Sequence, residues 1–174
     1  MTWSDHMRIR LAKFDDISVL KQMYHDVIQY MNQHHIQIWD EIYPCICFEN
    51  DILHKHLYVW EREHQYISAF ALCDAHAGTK HITWEDPSAS ALYIDRFAVH
   101  VNAMHAGVGS LMLIEAIELA KTRGVRYVRL FVVDINLPAI QLYEKNGFKR
   151  ASGVYADVID EDITLYEFGY EFKL

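Results

Sequence analysis

The order of segments along this chain predicts a mixed α/β fold, and two observations carry that expectation. Short runs rich in β-branched and aromatic residues alternate with stretches whose apolar residues recur at helical spacing, in the order β-α-α-β-β-β-α-β-α-β. No internal repeat, linker or low-complexity tract interrupts that order. Residues 1–174 therefore read as one domain, long enough to bury a substantial core.

The elements follow in turn. "RIRLAKF" (8–14) alternates polar and apolar residues as a half-buried strand does, and Asp15 and Asp16 then serve as helix-start residues. Leu20, Met23, Tyr24, Val27, Ile28 and Met31 recur at helical spacing and predict a long amphipathic helix. Residues 37–56 read as a loop broken at Pro44, with a short helix from about Glu49. Strands are expected at 57–62 and 66–75 with the turn "EHQ" between them, then a polar loop over 76–90 and a strand over 92–100. A helix over 110–123 presents Leu113, Ile114, Ile117 and Ala120 on one face, and Gly124 ends it in a left-handed conformation. A strongly β-prone strand (125–134) leads to a short helix (138–146) with Pro138 at its start and Gly147 after its end. Residues 153–172 complete the chain as one or two strands.

Composition narrows the function. The chain is 52% apolar and 23% charged, with a net charge of −8 and a pI near 5.7. That balance argues against nucleic acid or an anionic membrane as the main partner and is compatible with a small cationic substrate. No run approaches the roughly 18 apolar residues of a membrane span. "MTWSDHMRIR" lacks the apolar core and cleavage site of a leader, so a soluble cytoplasmic protein is expected. Cys45, Cys47 and Cys73 cannot all pair, and C-x-C is a poor zinc spacing, so they read as free thiols. His34-His35 and the pair His54 and His56 look like ligands, yet no Cys/His/Asp set shows metal spacing and H-E-x-x-H is absent. No metal is expected.

"AMHAGVGSLML" (103–113) places two of the chain's seven glycines between a strand and a helix. Glycines there either serve a tight turn or let the backbone approach an anion, such as a pyrophosphate, at the helix N-terminus. A Walker loop would need Gly-Lys-Ser/Thr, where residues 109–111 are Gly-Ser-Leu. A dinucleotide fingerprint would need a third glycine where Met112 stands.

Thirty residues on, "NLPAIQLYEKNGF" (136–148) follows a second strand. With this stretch the chain resembles the GNAT superfamily of acetyl-CoA-dependent N-acetyltransferases. That family carries Gln/Arg-x-x-Gly-x-Gly/Ala after its fourth strand and Asn-x-x-Ala-x-x-x-Tyr-x-x-x-Gly-Phe after its fifth. Asn136, Ala139, Tyr143, Gly147 and Phe148 match the second motif throughout. "IWDEIYP" (38–44) followed by "LYV" (57–59) also resembles the front half of bacterial members, and Met104 departs from the usual Gln or Arg.

The resemblance implies a mostly antiparallel sheet of about six or seven strands, about four flanking helices, and a splay between the fourth and fifth strands. It implies acetyl-CoA as co-substrate. The backbone of Phe97, Ala98 and Val99 would take the pantetheine arm, and the amides of His105, Ala106, Gly107, Val108, Gly109 and Ser110 the pyrophosphate. Asn136 and Ala139 would line the far side. Tyr143 would protonate the departing thiolate, since a phenol with a pKa near ~10 keeps its proton at neutral pH.

Asp95 is the candidate base or ammonium-attracting group. Alternation puts it on a face with Tyr93, Phe97 and Val99, and a pairing with Arg96 or a water chain are the other readings. The acceptor pocket would draw on Trp39, Tyr43, Tyr93 and Asp134, an aromatic wall with a carboxylate that suits a cationic amine. Each is equally an ordinary core or strand-end residue. The expected reaction is acetyl transfer to a small-molecule primary amine by direct attack in a ternary complex. A non-catalytic acyl-CoA sensor and a nucleotide-binding enzyme of another class are the alternatives. Members of the superfamily are often dimers, and "TLYEFGYEF" (164–172) is either an edge available to a homodimer or an internal strand.

Overall fold

A computed structural model of the protein describes residues 8–62 and 65–174. In chain order the elements are β1 (Arg8–Leu11), α1 (Ile17–Gln33), α2 (Phe48–Leu53), β2 (Leu57–Arg62), β3 (Gln65–Cys73), β4 (Ile82–Thr83) and β5 (Ala91–Val99). They continue with α3 (Val108–Thr122), β6 (Tyr127–Val133), α4 (Leu137–Lys145), β7 (Lys149–Arg150), β8 (Ser152–Gly153), β9 (Tyr155–Val158) and β10 (Thr164–Lys173). The expected turn between β2 and β3 falls largely on Glu63 and His64, which lie outside the described residues, as does the chain before Arg8. Two compact units share the chain: one takes it as far as Leu72 and adds Arg96–Met112, and the other holds Cys73–Asp95 and Leu113–Leu174.

In the first unit β1, β2 and β3 pair antiparallel, with Ile9 opposite Trp60 and Tyr58 opposite Phe70. The second half of β5 lies beside β3, where Ser68 Oγ donates to the Ala98 carbonyl at 2.6 Å and the His100 amide to Ile67 at 2.8 Å. α1 buries Leu20, Met23, Tyr24, Val27 and Ile28, while Met31 is only half-buried near the helix end. Leu20, Tyr24, Phe48, Leu57, Val59 and Ala69 form the centre of this core. Each large apolar side chain buried there contributes about 1.5–3 kcal/mol.

Two expectations are corrected here. β1 ends at Leu11, and a short 3₁₀ turn at Phe14–Asp16 precedes α1. Asp16 makes no side-chain cap to α1. Its carboxylate instead accepts from Arg10 (2.6 Å), the Tyr66 hydroxyl (2.6 Å) and the Lys13 amide (2.7 Å).

In the second unit the first half of β5 pairs parallel with β6, Ala91–Ile94 on Tyr127–Leu130. β6 pairs antiparallel with β10, and β10 takes β7 and β9 on its other side. The 164–172 stretch is therefore internal to its sheet. The predicted loop over 76–90 holds a 3₁₀ turn (Ala77–His81) and the short β4, which pairs with β8. α3 begins at Val108, two residues earlier than its apolar pattern suggested, because Gly107 makes the turn and Gly109 already belongs to the helix. Leu113, Ile117 and Ala120 are buried, but Ile114 is 49% exposed. The buried ridge follows the i, i+4, i+7 spacing, and Ile114 falls beside it. Gly124 adopts the expected left-handed conformation with φ of 72°.

Candidate active site

The glycine turn belongs to the first unit. His105 has φ of 61° and Gly107 φ of 81°, so left-handed residues alternate with ordinary ones across the turn. Such alternation converges successive backbone N–H groups into an anion-binding concavity. The first N–H groups of α3, from Val108, have no partner within the helix and carry its partial positive charge. A Cβ on Gly107 would meet nothing within 4 Å, so glycine is required there by backbone conformation. His105, Ala106 and Gly107 are exposed, Gly109 and Ser110 half-buried, and Val108 buried. The anion-binding character of this turn comes from its backbone and does not depend on the side chain at Met104.

The strand leading into the turn carries a kink that sequence periodicity missed. Arg96 has φ of 50°, directly after Asp95. Burial still alternates through this kink: Asp95, Phe97 and Val99 are half-buried, and Arg96 and Ala98 buried. Arg96 itself is buried at the kink. Its guanidinium forks onto Asp51, Nε to Oδ2 at 2.8 Å and Nη2 to Oδ1 at 2.9 Å, and Tyr24 donates its hydroxyl to the Arg96 carbonyl. Phe97 and Val99 are half-buried and Ala98 buried. The parallel ladder of β5 on β6 ends at Ile94, which leaves the later β5 backbone uncommitted to β6.

In the second unit Tyr143 is held by α4. Asn136 caps that helix by accepting from the Ala139 amide at 3.3 Å, and Pro138 sits in its first turn. The motif's asparagine thus has a local task, organising the helix that carries the tyrosine. Gly147, at φ of 87°, returns the chain so that Phe148 packs against Tyr143 with ring centres 6.1 Å apart. Glu144 on the same helix accepts from the Tyr170 hydroxyl at 2.9 Å, tying α4 to β10. Tyr143 is buried, and burial first, then the negative charge of Asp95, pushes its phenol well above the ordinary value of 10.0. The hydroxyl keeps its proton throughout the neutral range. Tyr143 and Asp95 are therefore electrostatic neighbours.

One face of this unit is aromatic. Tyr93 is buried and lies 6.4 Å from Phe131, and His76 stacks on Phe131 at 4.0 Å. Tyr155 meets Phe131 edge-on at 6.2 Å and stacks with His81 at 5.2 Å. Gly78 threads between them. A Cβ there would come within 2.6 Å of Phe131 and 2.7 Å of Tyr155. Asp134, half-buried at the end of β6, donates its amide to the Tyr166 carbonyl. Trp39 and Tyr43 belong to the first unit: Trp39 packs on Tyr24 at 5.7 Å, and Tyr43 is 37% exposed.

Comparison with known proteins decides the family. Residues 20–148 match the family model described as Acetyltransferase (GNAT) family. The chain belongs to the GNAT acetyltransferase family. YwnH of Bacillus subtilis (strain 168), which carries the provisional name phosphinothricin acetyltransferase, is 28% identical over 111 residues. That stretch covers 64% of this chain and 63% of YwnH, so under two thirds of the relative is matched.

A GNAT family acetyltransferase from Listeria monocytogenes 4b F2365 superposes with a TM-score of 0.77 at 17% identity, covering 100% of this chain and 98% of that one. YncA from Salmonella typhimurium, solved with its cofactor acetyl-CoA, gives a TM-score of 0.65 at 16% identity, covering 98% and 95%. At those identities the structures establish the shared fold. This GNAT family chain thus has the expected mixed sheet with mostly antiparallel pairs, and among its described residues no helix is long and apolar enough to cross a membrane.

Sequence reasoning missed several residues of this acetyltransferase. The Asp51–Arg96 fork joins residues 45 apart, which no motif links. His76, Phe131 and Tyr155 come from three separate segments and meet only through the sheet. Glu167 was legible in part, since it and Glu171, four residues on, are the two carboxylates of a largely apolar and aromatic strand.

Proposed function

We propose that this acetyltransferase moves the acetyl group of acetyl-CoA to a small primary amine by direct attack in a ternary complex, with residues 1–174 acting as one catalytic domain. The observation that carries the reading is Tyr143: a buried phenol that holds its proton, beside Asp95, on a helix built by the Asn136–Phe148 motif. Bound acetyl-CoA supplies an activated thioester. The backbone of Phe97, Ala98 and Val99 would hold its arm, the turn from His105 to Ser110 its pyrophosphate, and Asn136 and Ala139 would line its far side. Tyr143 would then hand its proton to the departing sulfur. Asp95 would attract the acceptor's ammonium, and Tyr93 and Asp134, with Trp39 and Tyr43, would contact the acceptor.

An aromatic face with carboxylates favours a cationic amine through cation–π contact and charge. The net charge of −8 acts in the same direction. No specific observation favours the acyl-CoA-sensing alternative.

The test is free-thiol release from acetyl-CoA across a panel of amines that includes phosphinothricin, for which YwnH is named. Replacing Tyr143 by Phe removes the proton donor and keeps the ring. Loss of a general acid lowers turnover by about 10²–10⁴-fold. We expect acceptor-dependent release that falls by that order in Tyr143→Phe, with the acetyl-CoA dissociation constant unchanged. Saturable acetyl-CoA binding with no release for any amine would overturn the transfer reading.

A further inference from the structure

Glu167 has no part in the chemistry described so far. It stands on β10, opposite Val133 of β6 on one side and Tyr155 of β9 on the other. The register and the alternation of strands place its side chain on the face that carries Phe131 and Tyr155. Its Oε2 is shut off from solvent and has no hydrogen-bond partner among the described residues. Leaving a buried acceptor unsatisfied is costly, more so when the group is charged, so such an atom calls for an explanation.

Among the described residues no cation pairs with it. Tyr155, directly opposite, gives its hydroxyl to Asp157 at 3.2 Å. Asp157 and Asp95 both add negative charge. The cation of this face, Arg129, is four residues along the ladder, where it pairs with Glu171 at 3.4 Å, donates to the Asp86 carbonyl at 2.8 Å and stacks under Trp84. His76 lies flat on Phe131 and accepts the Gly78 amide at Nδ1, and His81 stacks on Tyr155.

We propose that Glu167 is the acceptor-side base of this acetyltransferase, a carboxylate on the aromatic face that takes the proton of the incoming ammonium. The proposal rests on the acetyl-transfer reading and adds a residue to it. The proton balance is simple. An ammonium R–NH₃⁺ gives one proton to the Glu167 carboxylate and becomes R–NH₂, whose lone pair forms the new C–N bond as the C–S bond breaks. The thiolate takes a proton from Tyr143, and the second proton lost by the nitrogen restores the phenol. Glu167 releases its own proton to solvent, so the sum is amide, free thiol and one proton.

Burial first, then the charges of Asp157 and Asp95, push the Glu167 carboxyl up to about 7, which suits a base working near neutrality. Asp95 then has a separate task, holding the ammonium by charge between this base and the thioester. A cationic acceptor also supplies positive charge near Glu167, since Arg129 is committed to Glu171.

The experiment compares wild type, Glu167→Gln and Glu167→Asp by thiol release with the best acceptor of the panel, over a pH range from about 5.5 to 9. Acetyl-CoA affinity is measured by calorimetry alongside. The expected result is a loss of about 10²-fold in kcat/KM for Glu167→Gln at neutral pH, with the limb near pH 7 abolished. Acetyl-CoA affinity should stay unchanged, and Glu167→Asp should recover part of the rate. Wild-type turnover with the same limb in Glu167→Gln overturns this proposal alone, as does an equal loss at every pH. A wild type with no acceptor-dependent release overturns the transfer reading and this proposal with it.

Discussion

Asp16 in the first unit and Glu167 in the second are carboxylates withdrawn from water, yet their environments drive them in opposite directions. Burial opposes ionisation of Asp16, but hydrogen bonds from Arg10, Tyr66 and the Lys13 amide outweigh it and hold the carboxyl at about 2. Asp51, also in the first unit, is forked by Arg96. In the second unit burial dominates at Glu167, the neighbouring charges are negative, and the carboxyl rises to about 7. The contrast separates two uses of one chemical group. A carboxylate supplied with a guanidinium organises the fold, whereas one kept among other carboxylates and aromatic rings stands ready for a proton or a cation.

Replacing the paired carboxylate Asp51 by Ala should bring the largest stability loss. Removing one partner of a buried ion pair costs about 3–5 kcal/mol, and here it also loosens Arg96 at the kink of β5. Urea unfolding measures the loss. A cost within error of zero would mean that the fork does not organise this unit.

Glu167→Gln should behave differently, changing how stability depends on pH. The folded carboxyl binds its proton more tightly than the unfolded one, whose value is near the ordinary 4.5. Between pH 4.5 and about 7 the native state thus holds more protons, and stability falls as pH rises across that window. The Gln variant should lose that decline, so wild type and variant diverge toward neutral pH. Parallel curves across the window would place Glu167 with the paired carboxylates.

Asp16→Asn should have the smallest effect, and one of opposite sign. The folded carboxyl lies below the ordinary 3.8, so the unfolded state holds more protons between about pH 2 and 3.8. Wild-type stability from this group is present above 3.8 and disappears as pH falls through about 2. Acid unfolding followed by circular dichroism should show that step in wild type and not in Asp16→Asn.

Much of the proposed cofactor side could be read without a structure, because its parts are local in sequence. A glycine with positive φ before a helix, an asparagine capping a helix three residues ahead of Ala139, and a Gly-Phe closing that helix each leave a short-range signature. The proposed acceptor side left little such trace. Tyr93, Phe131, Tyr155 and Glu167 lie on four strands, and what relates them is strand register, which a one-residue slip would reverse. Arg96 shows the same limit: no local pattern announced the positive φ at that residue or its pairing with Asp51.

The sequence by itself determined the order of the longer elements, the turn at Gly107, the helix carrying Tyr143 and the family, since these depend on residues within a few positions of one another. Only the tertiary structure decided that Arg96 joins Asp51, that Asp16 is tied to Arg10, and that Glu167 keeps an unsatisfied oxygen beside Tyr155. Those outcomes depend on which charges end up together out of water. Burial makes each such encounter count for several times what it would in solution.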